Sequence, residues 1–418
     1  MHTVVLGAGV VGVTTAYYLA RRGHQVTVVD RQTGPGLETS FANGGLVTPS
    51  LSDPWAAPSA PLQMIQWLGK EDAPLLLRLR AVPGMAGWGL RFLQNCGRQR
   101  WRRNTEVVLR LAVHSRDALD RLTAETGIRY DRCDKGTLRV YRDARALEGA
   151  YVDADMYAEF GLPYRVLDRR GCVELEPALR PAAERIVGGV HYAGDRSGDA
   201  FLFTQELARL CAGLGVTFRY GTTVTAFETD GDRIAGVATD AGRIAADRYV
   251  LALGSYSPLL ARRIGFGLPV YPVKGYSVTV STAGWNDAPT IPILDERRKM
   301  ALTRMGDRLR LAGTAEFAGY DSRDNPRRST ALLAALAELF PDYPAREPAQ
   351  HWNGLRPMTP DGRPILGASP YRNLFLNTGH GSLGWTLACG SALAVAALVE
   401  GGRPDFNLDL DGFALTRF

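Results

Sequence analysis

Apolar and polar positions follow two periods along this chain, and its first thirty residues show both. Thr3-Val4-Val5-Leu6 is a continuous apolar, β-branched run, the pattern of a strand buried on both faces of a parallel sheet. Gly7-Ala8-Gly9-Val10-Val11-Gly12 follows, and 13–22 then has helical spacing with Gly23 as its stop. Residues 24–29 form a second strand pattern that ends at Asp30. Together they predict a complete βαβ unit. Further strands are predicted over 136–141, 216–220, 222–228, 234–239, 242–247, 249–253, 271–280, 308–312 and 374–376. Helical spacing dominates 62–122 and returns over 144–160, 203–213 and 332–340. The longest apolar run, 383–399, contains Gly384, Thr386, Gly390 and Ser391 and is short for a membrane span, so it is read as a buried helix.

This order predicts an α/β (mixed α+β) fold: a Rossmann-like dinucleotide-binding domain interleaved with an antiparallel-sheet substrate domain. The first is assigned residues 1–61, 188–265 and 351–418. The second, mostly helical in its first part, is assigned 62–187 and 266–350. At 418 residues, with 45% hydrophobic and 22% charged residues, the chain has ample material for such a core and lacks the composition of a disordered or fibrous protein.

Charge changes the picture modestly. The chain carries 49 basic and 43 acidic residues, a net +6, and the basic side is almost all arginine. That excess reads either as codon bias or as a basic face for an acidic membrane surface. No nucleic-acid partner is expected. Five scattered cysteines without a CxxC pair, and histidines without HxxxH or HExxH spacing, predict no disulfide framework and no metal site, and a reducing compartment. Only Met1 and His2 precede the first apolar run, so no secretory signal is expected.

The Gly7-x-Gly9-x-x-Gly12 spacing counts because a strand precedes it, a helix follows, and an acid stands 18 residues on, at Asp30. Gly7 permits the turn, Gly9 lets the backbone approach a pyrophosphate at the helix N-terminus, and Gly12 lets helix and strand pack closely. Asp30 is expected to accept hydrogen bonds from a ribose. Three later segments favour FAD over a nicotinamide cofactor. Glu38 to Gly45 is a polar loop of small residues that can run past a ribityl chain, with Ser40, Asn43, Gly44 and Gly45 as contacts. The strand 251–253 ends in Gly254-Ser255, where a dinucleotide can pack. Asn377 to Trp385 is a glycine-rich turn opening a helix. Its amides either hold a developing anion or simply make a strand-to-helix turn. His380 within that turn is read either as a general acid–base or as a positional hydrogen-bonding residue. Trp352 to Gly362 reads as a rigid, proline-framed loop carrying Arg356. An arginine there is either a surface charge or a bidentate carboxylate ligand.

The chain resembles the bacterial FAD-dependent D-amino-acid dehydrogenase (small subunit) family, within the D-amino-acid oxidase/glycine oxidase superfamily. The resemblance runs nearly end to end: Val5 to Val13, Glu38-Thr39-Ser40, Asp53 to Pro58, Tyr271 to Ser277, Gly354 to Gly362, and Leu376 to Gly381. It implies FAD, oxidative deamination of D-amino acids by hydride transfer from Cα, and a quinone or other non-oxygen acceptor. It also implies a cytoplasmic protein in loose contact with the inner face of the membrane. By resemblance Arg356 binds the substrate carboxylate, with Tyr276 and His380 as further candidates near the ring. The expected cofactor contacts then add Val10, Val11, Arg31, Leu46 and Val224 to the early set. In the late turn they are Gly379, His380, Gly381, Ser382, Leu383, Gly384, Trp385 and Thr386. The chain departs from the family pattern at Gly44 and Ser382, and no tyrosine stands near 299–302. Two other functions stay open: a dehydrogenase of cyclic imino acids such as D-proline or 4-hydroxy-D-proline, and a flavoprotein subunit without turnover of its own.

Overall fold

The computed structural model describes residues 1–67, 69–71, 73–345 and 348–418. The strand His2–Leu6 lies at the centre of a six-stranded sheet. The order is Ile365–Ala368, Leu374–Thr378, Arg248–Leu251, His2–Leu6, Gln25–Val29, Thr217–Arg219. All neighbours run parallel except the Ile365–Ala368 edge. Successive side chains point to opposite faces. Val5, Val28 and Val250 therefore enter one core with the helices Val10–Arg21, Arg98–Thr126, Ala200–Gly213 and Gly384–Val399. Val4, Leu6, Tyr249 and Leu251 enter another, under the small sheet of Val224–Asp230, Arg233–Thr239 and Gly242–Ile244. Burial on both faces is why these strands read as unbroken apolar runs.

A nine-stranded sheet forms the second layer. Its path is Gln350–Met358, Tyr271–Ser281, Arg308–Phe317, Met300–Met305, Ile293–Asp295, Thr137–Tyr141, Gly188–Tyr192 and Arg165–Asp168, with Leu75–Leu77 paired to Arg308–Phe317. It is antiparallel apart from two parallel pairings, Ile293–Asp295 with Thr137–Tyr141 and Leu75–Leu77 with Arg308–Phe317. The helix Pro326–Leu339 packs on one face through Leu332, Leu336 and Leu339.

The structure corrects the sequence reading in three places. The segment carrying Arg356 is a strand, Gln350–Met358, not a loop. It is an edge strand, where a proline is tolerated because one side of the ladder needs no donor. Gly188–Tyr192 and Gln350–Met358 belong to the second sheet, so the segments 188–265 and 351–418 each begin outside the nucleotide layer. Conversely, the helix Arg98–Thr126 sends Val108, Leu111, Ala112 and Leu119 into the nucleotide-side core. The helix ending at Val399 is largely buried, as its pattern predicted; a stretch from Gly381 is long and apolar enough to cross a membrane, but 72% of it is buried in the protein.

Candidate functional site

A cavity of about 940 Å³ opens between the two layers. Its walls bring together residues far apart in sequence: Gly7, Gly9, Val10, Val11, Asp30, Arg31, Ser40, Asn43, Gly44, Leu46, Val224, Gly254, Tyr276, Arg356, His380 and Gly381 to Thr386. Three expected cofactor residues, Gly12, Gly45 and Gly379, do not line it. Gly12 acts one step back: a Cβ there would overlap the Gly7 carbonyl. Gly7 sits at φ +110°, where a Cβ would stand 2.6 Å from the Ala252 carbonyl oxygen. The motif is thus clamped between the first helix and the end of the Arg248–Leu251 strand.

The helix Val10–Arg21 starts at Gly9 without a side-chain cap from its own first turn. Ser40 Oγ accepts from the Val10 N–H at 3.0 Å, which draws the Glu38–Gly45 loop onto the helix end. Asp30 accepts from the Ala8 and Gln32 amides at 2.7 and 2.8 Å. Burial raises its carboxyl, and those amides oppose the rise. Arg31 is ion-paired with Glu38 at 2.6 Å.

The cavity also holds unmet hydrogen-bonding capacity. Thr48 Oγ1, Asn377 Oδ1 and Trp385 Nε1 are buried, belong to cavity-lining residues and have no protein partner. Orphaned buried polar atoms are costly, so a polar ligand in this cavity is the natural completion. A glycine motif at a helix start, an acid at the next strand end and a second polar turn fit a dinucleotide with an extended polar chain.

His380 is 3% exposed, with Nε2 3.1 Å from Ser391 Oγ. Burial pushes its ring down to about 3, so it stays neutral at ordinary pH. It immediately precedes the Gly381–Leu383 turn that opens the Gly384–Val399 helix.

Arg356 lies across the cavity. Its Nη1 donates to the Thr314 carbonyl at 2.9 Å, its guanidinium sits 5.8 Å from the Trp55 ring, and no carboxylate among the described residues pairs with it. Burial, then the neighbouring Arg328 guanidinium, lowers it to about 10. Arg31, Arg139 and Lys299 also border the cavity, and each has a glutamate partner; Arg263 borders it too, but is exposed and donates to the Thr225 carbonyl. Lys274 and Arg304, two further cations on these strands, do not line it. Tyr276 does, but its hydroxyl donates to Glu316 and is not free for a ligand. Burial, then that bond, raises the phenol. Glu316 is also held by Arg78 at 2.6 Å and Lys274 at 3.3 Å, and these contacts hold it below its ordinary range against the opposing effect of burial.

Sequence reasoning gave no role to a charged group at another wall: Asp53, Arg139, Asp153, Glu296 and Lys299. Tyr157 donates to Asp53 at 2.8 Å. Asp153 is pushed up to about 6, by burial first and then by Asp53. These residues come from four separate segments; the Asp53-Pro54-Trp55 stretch was the one visible signal.

A family model described as FAD dependent oxidoreductase (DAO) matches residues 2–398. The chain belongs to this family. FAD is accordingly the cofactor of this family, and the glycine turn, Asp30 and the orphaned polar atoms of the cavity fit it. The chain is 47% identical over 418 residues to a D-amino acid dehydrogenase of Granulibacter bethesdensis, covering all of both chains. It is 51% identical over 419 residues to one of Paramagnetospirillum magneticum, covering 100% of this chain and 99% of that one. Among solved structures, glycine oxidase from Geobacillus kaustophilus matches with a TM-score of 0.78 at 26% identity, over 100% of this chain and 98% of that one.

Proposed function

We propose that the protein oxidises D-amino acids to imino acids, which hydrolyse to 2-oxo acids and ammonia. The observation that carries this reading is Arg356: a half-buried guanidinium at the wall of the FAD cavity with no carboxylate among the described residues paired to it. A buried cation calls for an anion, and a planar fork suits a carboxylate. The full-length relatives named D-amino acid dehydrogenase support the same substrate class.

FAD, when bound, supplies the two-electron sink. Arg356 holds the substrate carboxylate and so fixes Cα, which converts a collision into an oriented encounter. With the carboxylate held, one enantiomer presents its hydrogen to a given wall and the other its side chain. The Cα–H bond breaks as the nitrogen lone pair forms C=N, so the amine must arrive deprotonated. His380, whose ring burial pushes down to about 3, is too weak a base to take up that proton. Anaerobic mixing with a panel of D- and L-amino acids tests the reading. D-amino acids should bleach the flavin and their L-enantiomers should not. Bleaching by D-proline in preference to every primary D-amino acid would move the assignment to cyclic imino acids, and no bleaching at all would end it.

Electrons then pass to a quinone at the membrane surface. Six of the thirteen exposed large hydrophobics among the described residues fall between Leu62 and Leu93, which marks this stretch as the apolar face. It holds the helices Ala60–Trp67 and Val82–Asn95, whose one charged residue is Arg91. Met64, Trp67, Trp88 and Phe92 of the same helices line the cavity. An exposed apolar surface at a cavity wall suits a lipid-soluble acceptor and an interfacial contact. Turnover with a quinone analogue should greatly exceed turnover with air; equal rates would count against this acceptor.

A further inference from the structure

Arg356 is presented by an irregularity in the neighbouring strands. Tyr271–Ser281 and Arg308–Phe317 pair in register until Tyr276 meets Gly313; the next pair is Gly275 with Ala315, leaving Thr314 as an extra residue. Thr314 takes φ +56°, a conformation that β-branched residues rarely adopt. Such a bulge re-aims a strand locally. Here it turns the Thr314 carbonyl to accept from Arg356 Nη1. The next carbonyl, Ala315, accepts from Arg328 Nη2 at 3.1 Å, so the bulge is held from both sides. Opposite it, a Cβ on Gly275 would fall within the Arg356 guanidinium. The guanidinium therefore occupies the space that the missing side chain leaves open.

We propose that Gly275 and Thr314 are positioning residues: together they form a seat that fixes the Arg356 fork in the orientation that receives the substrate carboxylate. The inference rests on the reading of Arg356 given above and adds what holds it. Two atoms define the seat, the Thr314 carbonyl as acceptor and the empty Cβ position of Gly275 as volume. Neither touches the substrate on this account. Their effect should appear in carboxylate binding and not in the rate of the chemical step at saturation.

The test is a double-mutant cycle on the FAD-loaded protein, with Gly275→Ala, Arg356→Ala and both together. Two readouts besides turnover are used: the dissociation constant of benzoate from its perturbation of the flavin spectrum, and thermal stability. Gly275→Ala should weaken benzoate and raise KM for D-alanine by about tenfold or more, while flavin reduction at saturating substrate stays within about threefold. In the Arg356→Ala background the same change should have no further effect on binding, and its cost in stability should vanish because the space is vacant. Should Gly275→Ala alone fail to fold while the double variant folds, the steric seat is supported. Two outcomes overturn the proposal: wild-type benzoate affinity in Gly275→Ala, or an equal loss of stability from Gly275→Ala with and without Arg356. If Arg356→Ala itself binds benzoate and turns over like wild type, the carboxylate assignment fails instead.

Discussion

The two ends of the cavity are built by different means. At the nucleotide end the contacts are local: Gly7, Gly9, Gly12, Asp30 and Ser40 fall within the first forty residues, the glycines shaping the backbone and the two side chains accepting from its amides. At the substrate end they are assembled across strands: Arg356, Gly275, Thr314 and Trp55 come from four segments and serve to place one side chain, the Arg356 guanidinium. A backbone-built site tolerates no added atoms, whereas a side-chain site fails when one functional group is removed. Substitutions at the two ends should therefore fail differently.

The largest effect is expected at the nucleotide end. Gly12→Ala puts a methyl into the Gly7 carbonyl, so the protein should lose both flavin and stability, as read by visible absorbance and thermal melting. Gly9→Leu sharpens the contrast. A Cβ at Gly9 meets only Ser40 Oγ, at 3.4 Å, so the chain should fold but stay colourless because the leucine takes the pyrophosphate's space. Full flavin occupancy in that variant would place the dinucleotide elsewhere.

At the substrate end, Arg356→Ala should keep its flavin and lose about 100-fold or more in kcat/KM, with Arg356→Lys losing at least ~10-fold because the fork is gone. Near wild-type kcat/KM with flavin retained would separate Arg356 from the carboxylate.

Tyr276→Phe divides structure from catalysis. Its hydroxyl serves buried Glu316, so removal should cost about 1–3 kcal/mol of stability, measured by denaturant unfolding, and leave benzoate affinity unchanged. A weaker benzoate complex at unchanged stability would return the hydroxyl to the substrate.

The smallest effect is in pH. Arg356 carries its charge below about 10 and loses it above, so KM should rise as pH passes through that value. His380 is neutral above about 3, so no inflection near the ordinary histidine value should come from it. An inflection there that disappears in His380→Gln would reverse that assignment.

The same contrast explains what could be read from the chain alone. The βαβ unit, the acid at its second strand end and the buried 383–399 helix were legible because periodicity and glycine spacing act between neighbours in sequence. The Arg356 segment was misjudged because Pro357 and Gly354 are turn formers locally, and its strand exists only through pairing with Tyr271–Ser281. Tyr276 was taken for a substrate contact, and no local pattern could show that Glu316, forty residues on, takes its hydroxyl. The Asp53–Asp153–Glu296 wall carried no spacing at all.

The sequence by itself determined a dinucleotide-binding layer, the place of its phosphate turn and the identity of the one arginine to examine first. The first two follow from short-range geometry, what a backbone can do without a Cβ and which faces a period buries, and the arginine from resemblance to a family. Only the tertiary structure decided that Arg356 meets the cavity without a carboxylate beside it among the described residues, and which tyrosine is already engaged. Those are questions of partnership between strands distant in sequence. Burial makes each answer consequential, because an unmatched charge or donor inside the protein must find its partner in a ligand.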